Sequence, residues 1–341
     1  MVQAASAAIT SEPSAALLEV SGLCKHFPVR GGVFGSVTAR VQAVDDVSFT
    51  IPKGQTLGLV GESGCGKTTV GRLVLRLLEP TAGSVRFAGQ DLFQLPPREL
   101  RALRRRIQII FQDPYSSLNP RHTVGDAIGE PLLVHGLARG AELERRVAEL
   151  LERVGLPASY RSRYPHEFSG GQRQRVCIAR ALALGPELLV CDEAVSALDI
   201  SIQAQILNLL DDLRAELGLT YLFISHNLNV VRHIADKIAV MYLGKLVEIG
   251  DAKQVFDSPK HPYTRALISA NPLPDPDAPL EPFLLKGELP SPLDPPAGCR
   301  FHTRCPEAFA PCTSVVPSER LLGDSGQRVW CHLYDDAQKP S

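Results

Sequence analysis

The chain has 341 residues, of which 44% are hydrophobic, so it can bury a large core and is longer than one ordinary domain requires. Its 36 basic and 37 acidic residues give a formal net charge of −1, so the charge balance provides no reason to expect nucleic acid as a partner. No run approaches the roughly 18 apolar residues of a transmembrane helix, so we expect any role at a membrane to depend on partner subunits. Residues 1–16 lack the features of a signal peptide and are predicted to be a disordered lead, which favours the cytoplasm.

The stretch from residue 17 to residue 255 alternates short apolar runs with amphipathic segments. This alternation predicts an α/β domain with a mainly parallel sheet. The candidate strands are Thr56–Val60, Ile107–Phe111, Leu188–Cys191, Tyr221–Ile224 and Ile238–Tyr242. Apolar residues at helical spacing predict two core-facing helices. The first carries Leu143, Val147, Leu150, Leu151 and Val154, and the second, Gln203–Leu217, carries Ile206, Leu209, Leu210, Leu213 and Leu217.

Residues 256–341 differ in composition from the rest of the chain. Between Pro259 and Pro317 lie 14 of the chain's 27 prolines, which disfavour long regular elements. We therefore predict a loop-rich C-terminal extension that follows the α/β domain.

A phosphate-binding loop is predicted between the strand Thr56–Val60 and a helix that begins near Thr68. The sequence there fits the pattern G-x-x-x-x-G-K-[ST]. Its residues are Gly61, Glu62, Ser63, Gly64, Cys65, Gly66, Lys67 and Thr68, followed by Thr69. Glycines let the backbone wrap around phosphates, Lys67 can reach the outer phosphates, and the Thr68 hydroxyl can bind Mg²⁺. We also expect Cys65, close to Lys67 and a helix N-terminus, to have a lowered thiol pKa and to react with maleimide.

Two carboxylates end a second apolar strand, in the segment LLVCDE at 188–193. Two solvated acids after a strand would be the ordinary interpretation of this segment. Beside a phosphate-binding loop, however, Asp192 is placed to hold Mg²⁺ directly or through water. Glu193 is then placed to orient and deprotonate an attacking water, so the pair predicts hydrolysis of a nucleoside triphosphate.

The segment FSGGQRQR at 168–175 leads into the apolar run VCIARALAL. It resembles the signature motif of ABC ATPases, with Phe168 at a position where leucine is commonest. The motif residues are Ser169, Gly170, Gly171 and Gln172. A serine and glycine amides at a helix N-terminus can bind a second phosphate group. The resemblance implies a head-to-tail dimer, in which each nucleotide lies between one subunit's phosphate-binding loop and the other subunit's signature motif.

Further positions of the ABC ATPase pattern follow in the family's order. By this resemblance Gln112 is a Mg²⁺ ligand that links the metal to a helical subdomain at about 113–180, and Asp199 communicates across the dimer. His226 is implied to contact the γ-phosphate. Phe27 is implied to stack on adenine, and its alternative role is a core position.

The segment 194–250 and the extension make the resemblance more specific. The extension contains HPYTRAL at 261–267 and GELPSPLDPPAGCRFHTRC at 287–305. These segments resemble the oligopeptide/dipeptide importers, in particular the second ATPase subunit of the pair. The resemblance implies a different ATPase subunit as heterodimer partner, two transmembrane permease subunits, an extracytoplasmic peptide-binding protein, and a location at the cytoplasmic face of the inner membrane. Related importers of nickel, sugars or other solutes share such tails, so another cargo stays open.

Four of the eight cysteines lie in the extension. They are Cys299, Cys305, Cys312 and Cys331. Their spacing is wider than in common zinc modules. Four thiolates in a proline-rich segment with little core suit a metal group that supplies folding energy, and we expect a [4Fe–4S] cluster. Zn²⁺ and unligated thiols are the alternatives, and His302 or His332 could replace a cysteine ligand.

Two other functions are compatible with parts of this pattern. A soluble ABC ATPase acting on ribosomes or DNA would usually have two cassettes or a coiled-coil insertion, and the sequence shows neither. A redox or regulatory iron–sulfur protein would be expected to have lost catalytic residues, whereas Glu193 and the motif at 169–172 are intact. The sequence therefore favours an ATPase of peptide import that uses ATP and Mg²⁺ and has no nucleic-acid partner.

Overall fold

A computed structural model of the chain describes residues 16–31, 36–270, 288–323 and 326–335. The predicted disordered lead is residues 1–16, and residues 1–15 of it lie outside the described residues. Within the described ranges, no helix is long and apolar enough to cross a membrane.

Two sheets form the framework of the described chain. The strands are β1 (Ala16–Gly31), β2 (Ser36–Pro52), β3 (Thr56–Val60), β4 (Ala82–Phe87), β5 (Gln90–Asp91), β6 (Ile107–Ile110), β7 (Leu188–Asp192), β8 (Thr220–Ser225), β9 (Lys237–Tyr242), β10 (Lys245–Asp251), β11 (Glu319–Leu322) and β12 (Gln327–Trp330). The larger sheet has the order β11-β12-β10-β9-β3-β8-β7-β6, and the smaller has the order β2-β1-β4-β5. In the larger sheet β9, β3, β8, β7 and β6 are mutually parallel, as predicted, and each predicted strand ends within one residue of the observed one.

The helices connect the strands and cover the larger sheet. They are α1 (Lys67–Val74), α2 (Pro97–Leu103), α3 (Pro114–Ser117), α4 (Val124–Val134), α5 (Gly140–Arg153), α6 (Gly170–Leu182), α7 (Ile200–Leu217), α8 (Leu228–Ile234), α9 (Ala252–Asp257) and α10 (Pro262–Ser269). The start of α4 is fixed by a capping box between Thr123 and Asp126. Both predicted core-facing helices are confirmed as α5 and α7, but Leu217 was wrongly assigned to the core. It is 38% exposed because it is the last residue of α7, just before the left-handed cap at Gly218.

The two faces of the larger sheet pack against different cores. Along β8, Tyr221 and Phe223 join a core formed mainly with the helices α5 to α8. Leu222 and Ile224 join the other core, which contains β1, β2, β4 and α1. This alternation follows from the two-residue period of a strand. A strand buried on both faces is held rigidly, and the catalytic segments begin where β3, β7 and β8 end.

The C-terminal extension docks on the α/β domain. Its strand β12 pairs with β10, with Glu248 opposite Val329. Phe301 is buried and packs against Tyr242 and Tyr263, with ring centroids 5.2 and 5.3 Å apart. Buried aromatic side chains contribute about 1.5–3 kcal/mol each, so this contact fixes the extension next to β9 and α10.

Candidate nucleotide-binding and hydrolysis site

The predicted phosphate-binding loop connects β3 to α1. At Gly66 the backbone has φ of 107°, a left-handed conformation that disfavours other residues. A Cβ there would lie 2.0 Å from the Ala43 carbonyl oxygen, and a Cβ on Gly61 would lie 2.1 Å from that of Met241. These close approaches require glycine, and they hold the loop tightly against the sheets.

The Lys67 side chain folds back over this loop. It is 5% exposed, and its Nζ donates to the Gly61 and Glu62 carbonyl oxygens at 2.8 and 2.9 Å. These two carbonyls are neutral, so they position the ammonium without cancelling its charge. A buried charge favours a counter-charge, so the arrangement fits the phosphates of a nucleotide.

The prediction of a lowered pKa for Cys65 is wrong. The side chain is only 1% exposed, and burial raises the pKa of its thiol although the Lys67 ammonium, 3.7 Å away, acts in the opposite direction. The position next to a helix N-terminus is less important here than desolvation. Cys65 is therefore a buried part of the loop and should react slowly.

Thr68 and Asp192 meet at the mouth of the loop. The Thr68 hydroxyl donates to Asp192 Oδ1 at 3.0 Å, which joins the start of α1 to the end of β7. Burial raises the pKa of Asp192, and the Glu193 charge raises it further, whereas the Thr68 hydrogen bond lowers it. A hydroxyl and a carboxylate are oxygen ligands of the kind that Mg²⁺ prefers, so this pair fits the ion.

Glu193 is held between two polar side chains. Its Oε2 accepts from Gln112 Nε2 at 2.8 Å, and its Oε1 lies 3.0 Å from His226 Nδ1. An ionised carboxylate only accepts hydrogen bonds, so His226 must donate from Nδ1, which directs Nε2 elsewhere. The backbone of Glu193 has φ of 49°, a strained conformation of the kind found at functional sites. The structure thus brings Gln112, Glu193 and His226 together, and Gln112 contacts the carboxylate rather than Thr68 or Asp192.

The signature motif forms the start of α6. Ser169 Oγ accepts from the Gln172 backbone N–H at 3.3 Å, and Gln172 Oε1 accepts from that of Ser169 at 3.0 Å. Ser169 and Gly170 are exposed, whereas Gly171 is buried. A Cβ on Gly171 would lie 2.5 Å from Ile202 Cγ2, so glycine is required where α6 approaches α7. The capping box orders the helix N-terminus and leaves it facing solvent.

Asp199 and Phe27 lie at two other positions. Asp199 caps α7, because its Oδ1 accepts from the Ile202 backbone N–H at 3.0 Å, and the next residue, Ile200, is 85% exposed. Phe27 is half-buried in β1, with the Lys25 ammonium 5.2 Å from the centre of its ring. The ring is thus in a cation–π contact within this structure.

Contacts between the extension and the phosphate-binding loop were not predicted. The Glu62 backbone N–H donates to the Tyr263 hydroxyl at 2.9 Å, and Arg304 donates to both oxygens of the Glu62 carboxylate. Tyr263 lies in the segment HPYTRAL and Arg304 in the cysteine-rich segment, so both segments were singled out in the sequence without these contacts being predicted. The sequence contains no signal that pairs residues so far apart in the chain.

The four cysteines of the extension interact with one another. The Cys299 backbone N–H donates to the Cys312 carbonyl oxygen at 2.9 Å, and Cys331 interacts electrostatically with the other three thiols. Burial raises the pKa of Cys299 and Cys305 to about 11 and that of Cys331 to about 12. In the part of the chain that the structure describes, no group of three or more His, Cys, Asp or Glu residues is arranged to hold a metal ion. The thiols are a suitable donor set for an iron–sulfur cluster, but their arrangement is not that of a metal site.

Comparisons with protein families and solved structures show which proteins the chain resembles. The model of the ABC transporter family matches residues 44–196, and that of the oligopeptide/dipeptide transporter C-terminal region matches residues 247–312. The chain is 27% identical to the structure of cbiO1 from Clostridium perfringens, described as part of the ABC transporter complex cbiONQ, with a TM-score of 0.61 over 71% of this chain and 91% of that one. It is 29% identical to the dimeric ATP-binding cassette MJ0796 bound to ADP and Pi, with a TM-score of 0.60 over 69% and 98% of the two chains.

Curated relatives extend the similarity over nearly the whole chain. The oligopeptide transport ATP-binding protein AppF of Bacillus subtilis is 51% identical, over 96% of this chain and 100% of AppF. The dipeptide transport ATP-binding protein DppF of Escherichia coli is 49% identical, over 95% and 96% of the two chains. The predicted family resemblance and α/β fold class are thereby confirmed, and the family implies ATP and Mg²⁺ as predicted. The chain belongs to the ABC transporter family, as an ATP-hydrolysing subunit with the C-terminal region of the oligopeptide/dipeptide transporters.

Proposed function

We propose that the chain hydrolyses MgATP to power the import of oligopeptides or dipeptides by an ABC transporter. The observation that carries the proposal is the presence, in one chain, of the braced Glu193 carboxylate and the oligopeptide/dipeptide transporter region at 247–312. The names of AppF and DppF support peptides as cargo. Nickel, sugars or other small solutes are the alternative cargo.

In this proposal the loop 61–68 binds the phosphates of ATP. The backbone amides around Ser63 and Gly64, together with the N-terminus of α1, cradle the phosphates, and Lys67 contacts the outer ones. Thr69 continues the first turn of α1 beside them. Phe27 stacks on adenine, and the base then replaces Lys25 as the group in contact with the ring.

Thr68, Asp192 and Gln112 hold Mg²⁺ in the proposed complex. The bound ion supplies positive charge that offsets the charge developing on the phosphates. Gln112 would help to hold the ion if it released its hydrogen bond to Glu193. That release would connect arrival of the nucleotide to the helical subdomain at about 113–180, which begins just after Gln112.

Glu193 is the proposed general base. A water beside its carboxylate gives up a proton to it as the water oxygen attacks the γ-phosphorus, and the in-line bond from that phosphorus to the bridging oxygen breaks, so that ADP leaves. His226 keeps the carboxylate oriented through Nδ1, and Nε2 can meet the γ-phosphate. Positioning and charge stabilisation by these residues carry the reaction, because phosphoryl transfer needs little covalent help from a protein.

A second ATPase subunit completes each site in the proposed assembly. The exposed helix N-terminus at 169–172 would bind the nucleotide held by the partner, and the exposed Asp199 and Ile200 would lie against the partner. The dimeric state of the solved cassette MJ0796 supports a dimer of cassettes. We propose a heterodimer with a different ATPase subunit.

The remaining partners follow from transport across a membrane. Two permease subunits provide the path, and an extracytoplasmic peptide-binding protein delivers the cargo. The chain would bind the permeases peripherally at the cytoplasmic face of the inner membrane. Residues 17–255 form the proposed ATPase domain and residues 256–341 the extension of the peptide-importer branch.

We retain a [4Fe–4S] cluster on Cys299, Cys305, Cys312 and Cys331 as a proposal, with Zn²⁺ as the alternative. The proposal rests on four cysteine thiols being a suitable donor set, and cluster assembly would have to rearrange them and displace their protons. Iron and acid-labile sulfide are measured on anaerobically purified protein, and we expect about four of each per chain. Stoichiometric zinc without sulfide would support the alternative, and the absence of both metals would refute the two together.

Co-purification from the native host tests the proposed function. Affinity capture of the chain from detergent-solubilised membranes should recover two multispanning permeases and a second, different ATPase chain. Ribosomal particles, or the chain alone in both the membrane and the cytosolic fraction, would contradict the assignment.

A further inference from the structure

The extension contributes a charged side chain to the phosphate-binding loop. Arg304 Nη1 lies 2.9 Å from Glu62 Oε2 and 3.2 Å from Oε1, and Nη2 lies 3.2 Å from Oε1. The Arg304 side chain is 9% exposed and that of Glu62 is 25% exposed, so water screens the pair poorly. A planar guanidinium that contacts both carboxylate oxygens holds them in a fixed geometry.

Packing fixes Arg304 in place. Its Nη1 is also 3.4 Å from the Tyr242 hydroxyl, and Phe301, three residues earlier, is buried among aromatic rings. From the other side, Tyr263 accepts the hydrogen bond of the Glu62 backbone N–H at 2.9 Å. Glu62 is thus held at both its backbone and its side chain by residues beyond residue 255.

Glu62 also contacts the residue that is proposed to bind the outer phosphates. Its carbonyl oxygen accepts from Lys67 Nζ at 2.9 Å, so the ammonium lies against the backbone of the same residue whose carboxylate Arg304 holds. Without Arg304, the carboxylate would be a partly buried, unpaired charge, and such a charge seeks the nearest cation. An ion pair with Lys67 would compete with phosphate and would add negative charge beside the nucleotide.

We propose that Arg304 is a positioning residue for nucleotide binding, because it holds the Glu62 carboxylate away from Lys67 and leaves that ammonium available to the phosphates of ATP. The inference rests on the proposed binding of ATP at the loop 61–68. It makes the C-terminal extension part of the nucleotide site through electrostatics, in addition to its packing against the α/β domain.

Equilibrium binding of MgATP to the full-length chain tests this inference. In about 0.05 M potassium chloride, Arg304→Met should weaken binding about tenfold, which corresponds to about 1.4 kcal/mol. In about 0.5 M potassium chloride the loss should shrink to less than about threefold, because salt screens the competing charge. Glu62→Gln should suppress the defect, so that the double variant Glu62→Gln/Arg304→Met binds MgATP more tightly than Arg304→Met alone. A purely structural role of Arg304 would produce neither the salt dependence nor the suppression.

The matched control is Arg265→Met. Arg265 also forms an ion pair within the extension, with Glu307 at 2.8 Å, but this pair is 36% exposed on each side and involves no residue of the loop 61–68. Its loss should leave MgATP binding unchanged. If Arg304→Met does not fold, Arg304→Gln keeps a hydrogen-bond donor while removing the charge, and it should show the same salt-dependent loss.

Two results would overturn the inference. One is wild-type affinity in the folded Arg304 variant, and the other is a double variant that binds as weakly as the single one. A different result would contradict the proposed function itself. That result is a wild-type chain that does not bind MgATP, or whose binding Lys67→Ala does not reduce.

Discussion

Replacing Glu193 by glutamine changes one proton acceptor and preserves most of the contacts around it. The amide oxygen can still accept from Gln112, whose Nε2 is 2.8 Å from Glu193 Oε2. The amide cannot take a proton from water, and its NH₂ group cannot accept the hydrogen bond that His226 Nδ1 donates to the carboxylate at 3.0 Å. The variant therefore separates nucleotide binding from the chemical step.

The size of the effect follows from the loss of a general base. Such a loss lowers turnover by about 10²- to 10⁴-fold, equivalent to about 2.7–5.4 kcal/mol in the activation free energy. Binding should respond differently, because the charge of Glu193 contributes to the raised pKa of Asp192. Removing that charge lowers the pKa of Asp192, which then stays ionised at lower pH. The acid limb of MgATP binding should accordingly move to lower pH in the variant.

Steady-state hydrolysis in the assembled transporter and equilibrium binding of MgATP provide the two measurements. The variant should bind MgATP at least as well as the wild type at neutral pH and should accumulate as an ATP-bound dimer. Glu144→Gln, on the exposed face of α5, makes the same chemical change away from the site and should leave both quantities unaltered. Hydrolysis by Glu193→Gln within about threefold of the wild type would refute the role of this residue as the base.

Three further variants or measurements examine the loop and the docking of the extension. Lys67→Ala removes the buried ammonium that faces the phosphates, so MgATP affinity should fall about tenfold or more together with hydrolysis, as measured by equilibrium binding. Cys65 should react with maleimide more slowly than the half-buried Cys24, because its thiol is buried and its pKa is raised. Glu248→Ala leaves the backbone N–H groups of Lys260 and His261 without their acceptor, so urea unfolding should show a loss of at least about 2 kcal/mol and proteases should remove the extension faster.

Unchanged MgATP binding in Lys67→Ala would mean that the loop does not hold the phosphates. Labelling of Cys65 as fast as that of Cys24 would show that the loop opens in solution. Glu307→Ala removes an exposed ion pair of the extension and should cost less than about 1 kcal/mol, so an equal loss in both variants would contradict a special role for Glu248.

The parallel core of the fold was predictable because its strands are short, apolar and regularly spaced. β3, β7 and β8 are buried along their whole length, and this produces continuous apolar runs in the sequence. The long antiparallel strands β1 and β2 were not delimited, because one face is partly exposed and several bulges interrupt their register. The pairing of β12 with β10 was also not predictable from the sequence, because the two strands are far apart in the chain.

The residues of the site were predictable where a short motif contains them, and their contacts were not predictable where they join distant parts of the chain. Short motifs contain the residues from Gly61 to Thr68 and the acidic pair at 192–193. The residue types and spacing of these motifs are enough to indicate phosphate and Mg²⁺ binding. The contacts of Glu193 with Gln112 and His226 depend on which strands are neighbours in the sheet. The sequence identified the three residues but could not show that they contact one another. Cys65 was misjudged because its burial comes from packing against the sheets, which overrides the effect of the neighbouring Lys67.

Peptide uptake by the reconstituted complex tests the proposed function most directly. The chain, its partner ATPase and the two permeases are placed in proteoliposomes with the peptide-binding protein and a radiolabelled dipeptide or oligopeptide. We expect ATP-dependent accumulation of the peptide that Glu193→Gln abolishes and that Glu144→Gln leaves unchanged. Active ATP hydrolysis without peptide accumulation, under conditions in which another solute accumulates, would contradict peptides as the cargo. Accumulation that persists in Glu193→Gln would contradict the role of this chain in powering transport.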